Sequence, residues 1–539
     1  MGKKAKIKNP LNKLHKKTLR HVICLELKNL SLKDKYKIIH YCHKSRKTYN
    51  DLIKFYKIQL ENLKNSKEYQ QLLELYLSLP EDKRKSIAEK LNNLREAFSL
   101  SKELCAKQMI PIAKKHNLSA VLGLTLSEKV WVAIEKCIFS KGKNIHFKNK
   151  NYLPSLQAKQ FNREIVFKID KENNLYFKWN DLILYPLIKD NFQQREIDNI
   201  VNYLKNPKLI DNIALMEYQE NHKIIDTFRP CYATIVVKNI RNKLRFFINL
   251  TIEGKVLPKL DKKGNEKHFL GFGNIGCDIG TQTIAYSTNE EVGLENLAEY
   301  GKTIEYRLKK IAKIQQRMDI SRRVTNPQYF NPDGTIKELK ENAKRIWIKS
   351  KKYKKLEYLL KNLYRKDSIN KKLAINKKLN YLRSLGDTFI TESKNANRLK
   401  TKAKTETTIN EKTGKCNRKK RFGKSIQNRN PGYFQQQAKL KFPNYIEVPN
   451  DYRASQYDHT ADDYIKKDLN DRYYALQDGT MVQRDMYSAF LLFNINLFNK
   501  FIDKEKCKSN FNNFYQLQNK RINEIKQNKL KILNSGISV

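Results

Sequence analysis

The 539-residue sequence has no Cys-x-x-Cys pair, no long apolar run and few acidic residues. Its eight cysteines stand singly, so none of them can present a local pair of thiolates to a zinc ion, and we expect reduced, mostly packed thiols. Without a long apolar run, no transmembrane helix is expected, and the lysine-rich N-terminus lacks the apolar stretch of a secretory signal. These absences predict a soluble protein that stays in the cytoplasm and has no membrane partner.

Acidic residues are scarce relative to basic ones. The chain has 55 Asp and Glu and 108 Lys and Arg, which gives a formal net charge of +53. A chain with this excess repels itself and needs a polyanionic partner, for which nucleic acid is the main candidate. Because 40% of the residues are hydrophobic, the chain can bury several cores, and its length predicts two to four domains.

Residues 31–140 have helical periodicity and are rich in Leu, Lys and Glu. The residue before a proline is biased away from helical geometry, so Pro80 and Pro111 are expected to mark helix boundaries. This segment predicts a helical domain.

Two later segments, residues 163–177 and 232–252, alternate apolar and polar residues as antiparallel hairpins do. The second has a turn signal near Asn242. Together with the short apolar run at residues 20–27, these hairpins predict a small β-barrel.

A third region is expected to begin with an apolar strand near Phe269 that ends at Asp278 in a tight polar turn. Gly276 and Gly280 flank this carboxylate, where a bare backbone allows a phosphate or metal to approach closely. Residues 284–287 are expected to return as the partner strand.

Two more carboxylates occur in similar settings. Glu392 closes the strand-like residues 385–392, and Asp485 precedes an aromatic, leucine-rich helix predicted at residues 487–501. For each carboxylate alone, the alternative is a solvated surface acid or a helix cap, but Asp278 and Glu392 both close strands that are expected to be buried. Three that converge can hold two divalent cations, Mg²⁺ or Mn²⁺. Arg484 then either neutralises a phosphate or forms a structural salt bridge.

Residues 303–385 predict long basic helices whose Lys and Arg faces form a track for phosphates. Residues 396–430 have almost no large apolar side chains and predict a loop that becomes ordered on nucleic acid. Both features agree with the charge of the whole chain.

These segments together resemble TnpB, the RNA-guided nuclease of bacterial insertion sequences, and the related compact type V CRISPR effectors. Residues 276–281, 389–392 and 483–489 resemble, in order, the three segments of the family's RuvC nuclease domain. In the third, Gln-Arg-Asp-Met-Tyr-Ser-Ala stands where the family usually shows Asp-Arg-Asp-x-Asn-Ala. Residues 241–250 resemble the strand pair that ends the family's wedge barrel, so the resemblance covers most of the chain.

The resemblance implies an α+β multidomain protein with an RNase H-like (RuvC) nuclease domain, a wedge β-barrel and an inserted helical recognition domain. The implied domains are the first part of the barrel at 1–30, the helical recognition domain at 31–140, the remainder of the barrel at 141–268, the nuclease domain at 269–451 with a basic helical insertion at 303–385, the counterpart of a target-loading zinc ribbon at 452–482, and the last nuclease segment with a helical tail at 483–539.

The resemblance also implies an activity, metal-dependent DNA endonuclease, and assigns the residues that carry it. Asp278 would bridge two Mg²⁺ or Mn²⁺ ions, while Glu392 and Asp485 each anchor one side, so the three are both catalytic residues and metal ligands. The partners would be a guide RNA and double-stranded target DNA, with a short motif beside the target read by the protein and the rest read by base pairing. We therefore expect a prokaryotic, nucleoid-associated protein. Whether the guide comes from a transposon end or a CRISPR array, and whether the protein is a monomer, is left open.

One departure from the family lies between the second and third nuclease segments. In TnpB a Thr-Ser-Gln precedes a four-cysteine zinc ribbon, whereas here residues 454–456 are Ala-Ser-Gln and residues 457–482 contain no cysteine. We expect no structural zinc, and His459 is not expected to act as a lone ligand. The segment is expected to be held by the aromatic side chains Tyr457, Tyr464, Tyr473 and Tyr474.

Three alternatives belong to other classes. Asp278-Ile-Gly-Thr also resembles the phosphate loop of actin-like sugar kinases, but those enzymes need further glycine-rich segments and this chain has only 18 Gly. A non-cleaving RNA-guided DNA-binding regulator would be favoured by loss of a carboxylate, and all three are present. The third alternative is a strand-transfer transposase. The barrel and helical block that precede Asp278 favour the guided nuclease over this class.

Overall fold

The computed structural model describes residues 19–139, 142, 144–221, 224, 226–299, 303–338, 345–393, 406–409, 416–418, 422–449, 452–465, 467–468 and 471–539. The chain divides into two compact units, residues 1–257 and 258–539. Within the described ranges, no helix is both long and apolar enough to cross a membrane.

The first unit contains the predicted helical block. Its helices, with one 3₁₀ turn at Glu81–Arg84, are α1 (Leu32–Asn65), α2 (Lys67–Ser78), α3 (Lys85–Ala97), α4 (Lys102–Lys115) and α5 (Ala120–Phe139). Ser31 begins α1 with a capping box in which its hydroxyl accepts from the Asp34 amide and the Asp34 carboxylate accepts from the Ser31 amide.

The two prolines of this block behave differently. Pro80 lies between α2 and the 3₁₀ turn, as the sequence predicted. Pro111 was wrongly predicted to end a helix, because it lies inside α4. Met109 and Ala113 on either side of it are buried against Gly123 of α5, and this packing outweighs the local cost of proline.

The hairpins of the first unit join the N-terminal strand in one antiparallel sheet of order β2-β6-β7-β1-β5-β4-β3. Its strands are β1 (Arg20–Lys28), β2 (Leu156–Gln157), β3 (Val166–Ile169), β4 (Leu175–Trp179), β5 (Leu182–Leu187), β6 (Arg229–Ile240) and β7 (Lys243–Glu253). Both predicted hairpins are confirmed, and the β6–β7 turn uses positive φ at Arg241 and Asn242 (52° and 61°). The order leaves β2 and β3 at the two edges of the sheet.

A helical pair between β5 and β6 was missed by the sequence analysis, which assigned this stretch to the barrel. Helices α6 (Asn191–Lys205) and α7 (Pro207–Asn221) occupy it. The Asp190 carboxylate caps α6 by accepting from the Gln193 amide at 2.8 Å. Ile197, Ile200 and Val201 are buried along one face of α6, at the i, i+3, i+4 spacing of an amphipathic helix.

The second unit is built on a five-stranded sheet of order β10-β9-β8-β11-β14. The strands of this part of the chain, including a separate β12–β13 pair, are β8 (Asn274–Ile279), β9 (Thr283–Ser287), β10 (Val292–Asn296), β11 (Thr388–Glu392), β12 (Glu406–Ile409), β13 (Cys416–Arg418) and β14 (Asn444–Val448). The first three form an antiparallel meander, and β11 runs parallel to both β8 and β14. The parallel strands end at the same edge, which therefore carries the ends of β8 and β11.

Helices cover both faces of this sheet. They are α8 (Ile304–Thr325), α9 (Lys351–Leu385), α10 (Gly423–Arg429), α11 (Pro431–Lys441), α12 (Arg484–Phe493) and α13 (Lys504–Gln527). One core joins Ile275 and Cys277 of β8 to α9 and α11, while a second joins the opposite face to α12 and α13. The long helices predicted at residues 303–385 are thus confirmed as α8 and α9.

Three boundaries in the second unit differ from the sequence predictions. Strand β8 begins at Asn274 rather than near Phe269, and helix α12 spans Arg484–Phe493 rather than residues 487–501. Phe498 is 99% exposed in the turn that follows α12, because the chain reverses there before α13. Most of the loop predicted at residues 396–430 lies outside the described residues.

Candidate functional site

Strand β8 brings Asp278 to the sheet edge where β11 also ends. Successive side chains of a strand point to opposite faces, so Gly276 and Asp278 share one face while Ile275, Cys277 and Ile279 share the other. The side chains of Ile275, Cys277 and Ile279 are buried in the core that includes α9 and α11. Asp278 is half-buried on the opposite face, which is the face that α12 covers.

Gly276 explains how closely α12 approaches this face. A Cβ at residue 276 would clash with the backbone of Ala489 and Phe493. The helix therefore rests directly on the strand backbone, with Ala489 presenting a small side chain. This contact sets where the N-terminal turn of α12 lies relative to Asp278.

Asp485 lies in that first turn. The Gln483 side chain caps the helix by accepting from the Met486 amide at 2.9 Å. Burial raises the pKa of Asp485, and the nearby negative charge of Asp278 raises it further, while Arg484 opposes the rise. The two carboxylates predicted from distant parts of the sequence are therefore brought together.

Arg484 pairs with the neighbouring carboxylate in this structure. Its Nε and Nη2 donate to Asp485 Oδ1 at 3.2 and 3.1 Å, and its Nη1 donates to the Asp471 carbonyl at 3.3 Å. Of the two roles predicted for Arg484, the salt bridge is the one observed.

Arg472, which the sequence analysis missed, lies beside this pair. Its carbonyl accepts from the Arg484 amide at 2.9 Å. Burial and the Arg484 charge lower the pKa of Arg472, while Asp485 opposes this change. Two guanidinium groups thus lie near Asp485. The only available sequence signal was one more arginine in a basic chain.

Glu392 ends β11 on the strand next to Asp278. Thr391 pairs with Cys277 in the parallel register, so Glu392 lies one position further, beside Asp278 and on the same face. It is half-buried. Burial raises the pKa of Tyr452, and the Glu392 charge contributes to that rise, which places these two side chains near each other.

Asp278 and Glu392 thus lie at one sheet edge, and Asp485 of α12 interacts electrostatically with Asp278. Across the described part of the chain, no group of three or more His, Cys, Asp or Glu side chains is arranged to hold a metal ion. The structure therefore shows a carboxylate pair, with Glu392 on the adjoining strand.

The cysteine-free segment that follows β14 packs against α12 and α13. It forms two short antiparallel pairs, β15 (Tyr457–Asp458) with β16 (Asp463–Tyr464) and β17 (Tyr473–Ala475) with β18 (Met481–Gln483). The Tyr457 and Tyr464 rings lie 5.2 Å apart across the first pair. Tyr474 meets Tyr487 of α12 edge-on at 6.0 Å. Aromatic packing therefore holds this segment at the predicted tyrosines.

His459 belongs to the same aromatic core. It is 2% exposed, and both its backbone N–H and its Nδ1 hydrogen-bond to the Tyr487 hydroxyl, at 3.1 and 2.7 Å. Its ring packs on Phe511 at 4.5 Å. Burial lowers the pKa of His459, which favours the neutral imidazole of a packed core residue.

Comparison with known proteins gives a distant likeness to solved structures and no match by sequence. No protein-family model matches the sequence, and no curated protein matches it. Among solved structures, the chain is similar to one described as the cryo-EM structure of the Cas12f1-sgRNA-target DNA complex, with a TM-score of 0.36 and 11% sequence identity over 88% of this chain and 99% of that chain.

Proposed function

We propose that this protein is an RNA-guided DNA endonuclease of the TnpB and compact type V kind, with a RuvC-type site at Asp278, Glu392 and Asp485. The observation that carries the proposal is the meeting of Asp278 and Asp485 at the edge where β11 also ends with Glu392. The order of the five-stranded sheet supports the RNase H-like class that the sequence resemblance implies.

The residues at this edge fit a divalent cation. Asp278 and Asp485 are half-buried and close enough that the charge of Asp278 disfavours ionisation of Asp485, and a bound cation would offset that repulsion. Carboxylate oxygens are the ligands that Mg²⁺ and Mn²⁺ prefer. Asp278 and Asp485 would hold one such ion as a pair, and Glu392 on the adjoining strand would contribute to a second once ions bind.

The chemistry that bound ions supply is activation of a water and stabilisation of the leaving 3′ oxygen in an in-line attack on a phosphodiester. The chain's own side chains hold and orient this site. Gly276 seats α12 so that Asp485 faces Asp278. Arg484 and Arg472 place positive charge beside Asp485, where they would attract the phosphate of the substrate and help to neutralise it.

The partners follow from the charge and from the family resemblance. A net charge of +53 suits a long polyanion such as a guide RNA paired with one target strand. Whether this guide derives from a transposon end or a CRISPR array is decided by the sequence of the RNA that accompanies the protein. The aromatic segment at 452–482 would take the position of the family's zinc ribbon beside the site. Packing of its side chains would hold it there instead of a structural zinc ion.

The decisive test begins with RNA. The protein is purified from its own host and the RNA that accompanies it is sequenced. A discrete scaffold that ends in a variable segment would support the guided function, and its genomic origin would identify a transposon-end or CRISPR guide. Random fragments alone would contradict guided recognition.

Cleavage of a matching DNA target is then measured with the RNA-bound protein in Mg²⁺. Asp278→Ala should abolish cutting while RNA binding stays unchanged, whereas Glu290→Ala, an exposed acid in the β9–β10 turn, should cut normally. Magnesium-dependent cleavage that persists in Asp278→Ala would contradict the site. Target binding with no cleavage by the unsubstituted protein would favour the non-cleaving regulator.

A further inference from the structure

A short basic segment precedes the strand that carries Asp278, and the site described above does not use it. We call residues 258–272 the basic hairpin. Leu260 and Glu266 form an isolated antiparallel bridge, and the Lys267 amide donates to the Lys259 carbonyl at 2.7 Å. Gly264 closes the turn with φ of +88°, a conformation that glycine adopts without strain.

The basic hairpin is anchored to the C-terminal end of α9. Arg383 donates from Nη1 to the His268 carbonyl at 3.1 Å and from Nη2 to the Glu266 carboxylate at 3.2 Å. The Gly271 amide donates a hydrogen bond to the Arg383 carbonyl at 2.9 Å. A Cβ at Gly271 would lie 2.5 Å from the Ser384 carbonyl oxygen, so the backbone is seated closely on the helix end. The segment therefore has a defined position.

This anchored segment exposes two phenylalanine rings. Phe269 is 71% exposed and Phe272 is 93% exposed. They lie three positions apart, on either side of the seated Gly271. Exposed aromatic rings forgo the stabilisation that burial would give them, and a pair on anchored backbone is typical of a contact surface for a ligand.

The residues around Phe269 and Phe272 carry mainly positive charge, which favours an anionic ligand. The basic hairpin contains two acids, and both are engaged within the unit: Asp261 accepts from the amides of Lys263 and Asn265, and Glu266 pairs with Arg383. Its four lysines are exposed, namely Lys259, Lys262, Lys263 and Lys267. Burial lowers the pKa of Lys441 to about 8, and the positive charges of Arg383 and Lys259 add to this effect, so Lys441 is a further cationic group near the basic hairpin.

We propose that Phe269 and Phe272 stack on unpaired bases of a single-stranded nucleic acid whose phosphates lie along the lysines of the basic hairpin. Every base has a π face, so such stacking tolerates any sequence, and the lysines supply the salt-dependent part of the affinity. The inference rests on the proposed function only in that the ligand is nucleic acid, and it does not require cleavage.

The test measures binding without metal. The full-length protein, stripped of nucleic acid in high salt, is titrated in EDTA with a 12-nucleotide single strand that carries 2-aminopurine, at several salt concentrations. The unsubstituted protein should quench the 2-aminopurine fluorescence as the base stacks. The double variant Phe269→Ala/Phe272→Ala should lose the quenching and bind about tenfold or more weakly, with an unchanged salt slope.

Two comparisons separate stacking from other effects. Lys262→Ala/Lys263→Ala should reduce the salt slope by about 0.7 for each phosphate that the variant no longer neutralises, while quenching at saturation persists. Phe498→Ala removes an even more exposed ring, 99% exposed, that lies far along the chain, and it should bind as the unsubstituted protein does. Circular dichroism should show that all three variants melt normally, since the substituted side chains are exposed.

Three results would overturn the proposal. The first is quenching and affinity that do not change in Phe269→Ala/Phe272→Ala. The second is an equal loss of affinity in Phe498→Ala, which would make the effect general to exposed rings. The third is an equal loss for a blunt duplex of the same sequence, which would show that the rings do not contact unpaired bases. Because no cleavage is measured, a failure here is distinct from a failure of the nuclease site.

Discussion

Gly276 of β8 lies directly against the backbone of Ala489 in α12, with no room for a Cβ between them. The helix that carries Asp485 is thereby seated on the strand that carries Asp278. A residue with no functional group thus sets the separation of the two acids that define the candidate site.

Gly276→Ala should therefore separate the two acids. The added methyl group meets backbone atoms, which cannot move aside as a flexible side chain can, so α12 must shift as a whole. We expect a loss of about 1–3 kcal/mol in the free energy of unfolding and a loss of cation-induced stabilisation. Thermal melting with and without Mn²⁺ measures both effects.

Gly264→Ala is the matched control, because no atom outside its own residue and its two chain neighbours lies within 4 Å of its added Cβ, and only its φ of +88° disfavours alanine. It should cost about 1 kcal/mol and keep the response to Mn²⁺. A Gly276→Ala protein that melts and responds to Mn²⁺ like the unsubstituted one would show that this contact does not position Asp485.

Asp278→Asn should stabilise the protein in the absence of metal. Burial and the Asp278 charge raise the pKa of Asp485 above its usual 3.8, so the metal-free fold loses stability as pH rises through that raised pKa. Removing the Asp278 charge relieves part of this loss at pH 7. We expect the melting temperature in EDTA to rise by about 2 °C or more.

Asp278→Asn should also lose most of the stabilisation that a bound cation gives to the unsubstituted protein. Mn²⁺ should raise the melting temperature of the unsubstituted protein at pH 7, by an amount that shrinks as pH falls and protons compete for Asp485. The same ion should have little effect on Asp278→Asn. A cation response of equal size in both proteins would place the ion elsewhere.

Lys441→Met should stabilise the protein at pH 7. Burial, Arg383 and Lys259 lower the pKa of Lys441 from 10.5 to about 8, so the folded protein binds this proton less tightly than the unfolded chain does. Its stability therefore rises with pH between about 8 and 10.5. Allowing for the lost hydrogen bond to Asn380, we expect a gain of about 2 kcal/mol in the variant at pH 7.

The stability difference between Lys441→Met and the unsubstituted protein should shrink between pH 7 and pH 9.5, as measured by thermal or urea unfolding. Lys439→Met, on a more exposed side chain of the same helix α11, should show a difference that does not depend on pH over this range. A constant difference for Lys441→Met would mean that its ammonium group is not destabilised by its surroundings.

Tyr487→Phe should destabilise the cysteine-free segment that carries β15 to β18. The Tyr487 hydroxyl is the partner of both the His459 amide and His459 Nδ1, and its loss leaves buried polar groups without a hydrogen bond. The expected cost is about 1–3 kcal/mol. Tyr364→Phe removes a hydroxyl from a half-exposed tyrosine and should cost less than about 0.5 kcal/mol. Equal melting temperatures for the two variants would contradict a structural role for the His459–Tyr487 contact.

The sequence by itself determined the features that depend on local pattern. Helical periodicity located the helices at residues 31–140 and 303–385, and strict alternation located the β3–β4 and β6–β7 hairpins. The same pattern selected Asp278, Glu392 and Asp485, because each stands at the end or start of an apolar element.

Only the tertiary structure decided what depends on packing between distant segments. Pro111 continues a helix because α5 packs against both sides of it, and residues 191–221 form helices whose polar faces obscured their period. Arg472 reaches Asp485 through the β17–β18 pair, and Phe272 is exposed because β8 begins two residues later than it. The sequence gives the type and spacing of the side chains directly. Which elements pack on the same face is set by close packing across the whole unit, and no local sequence pattern contains that information.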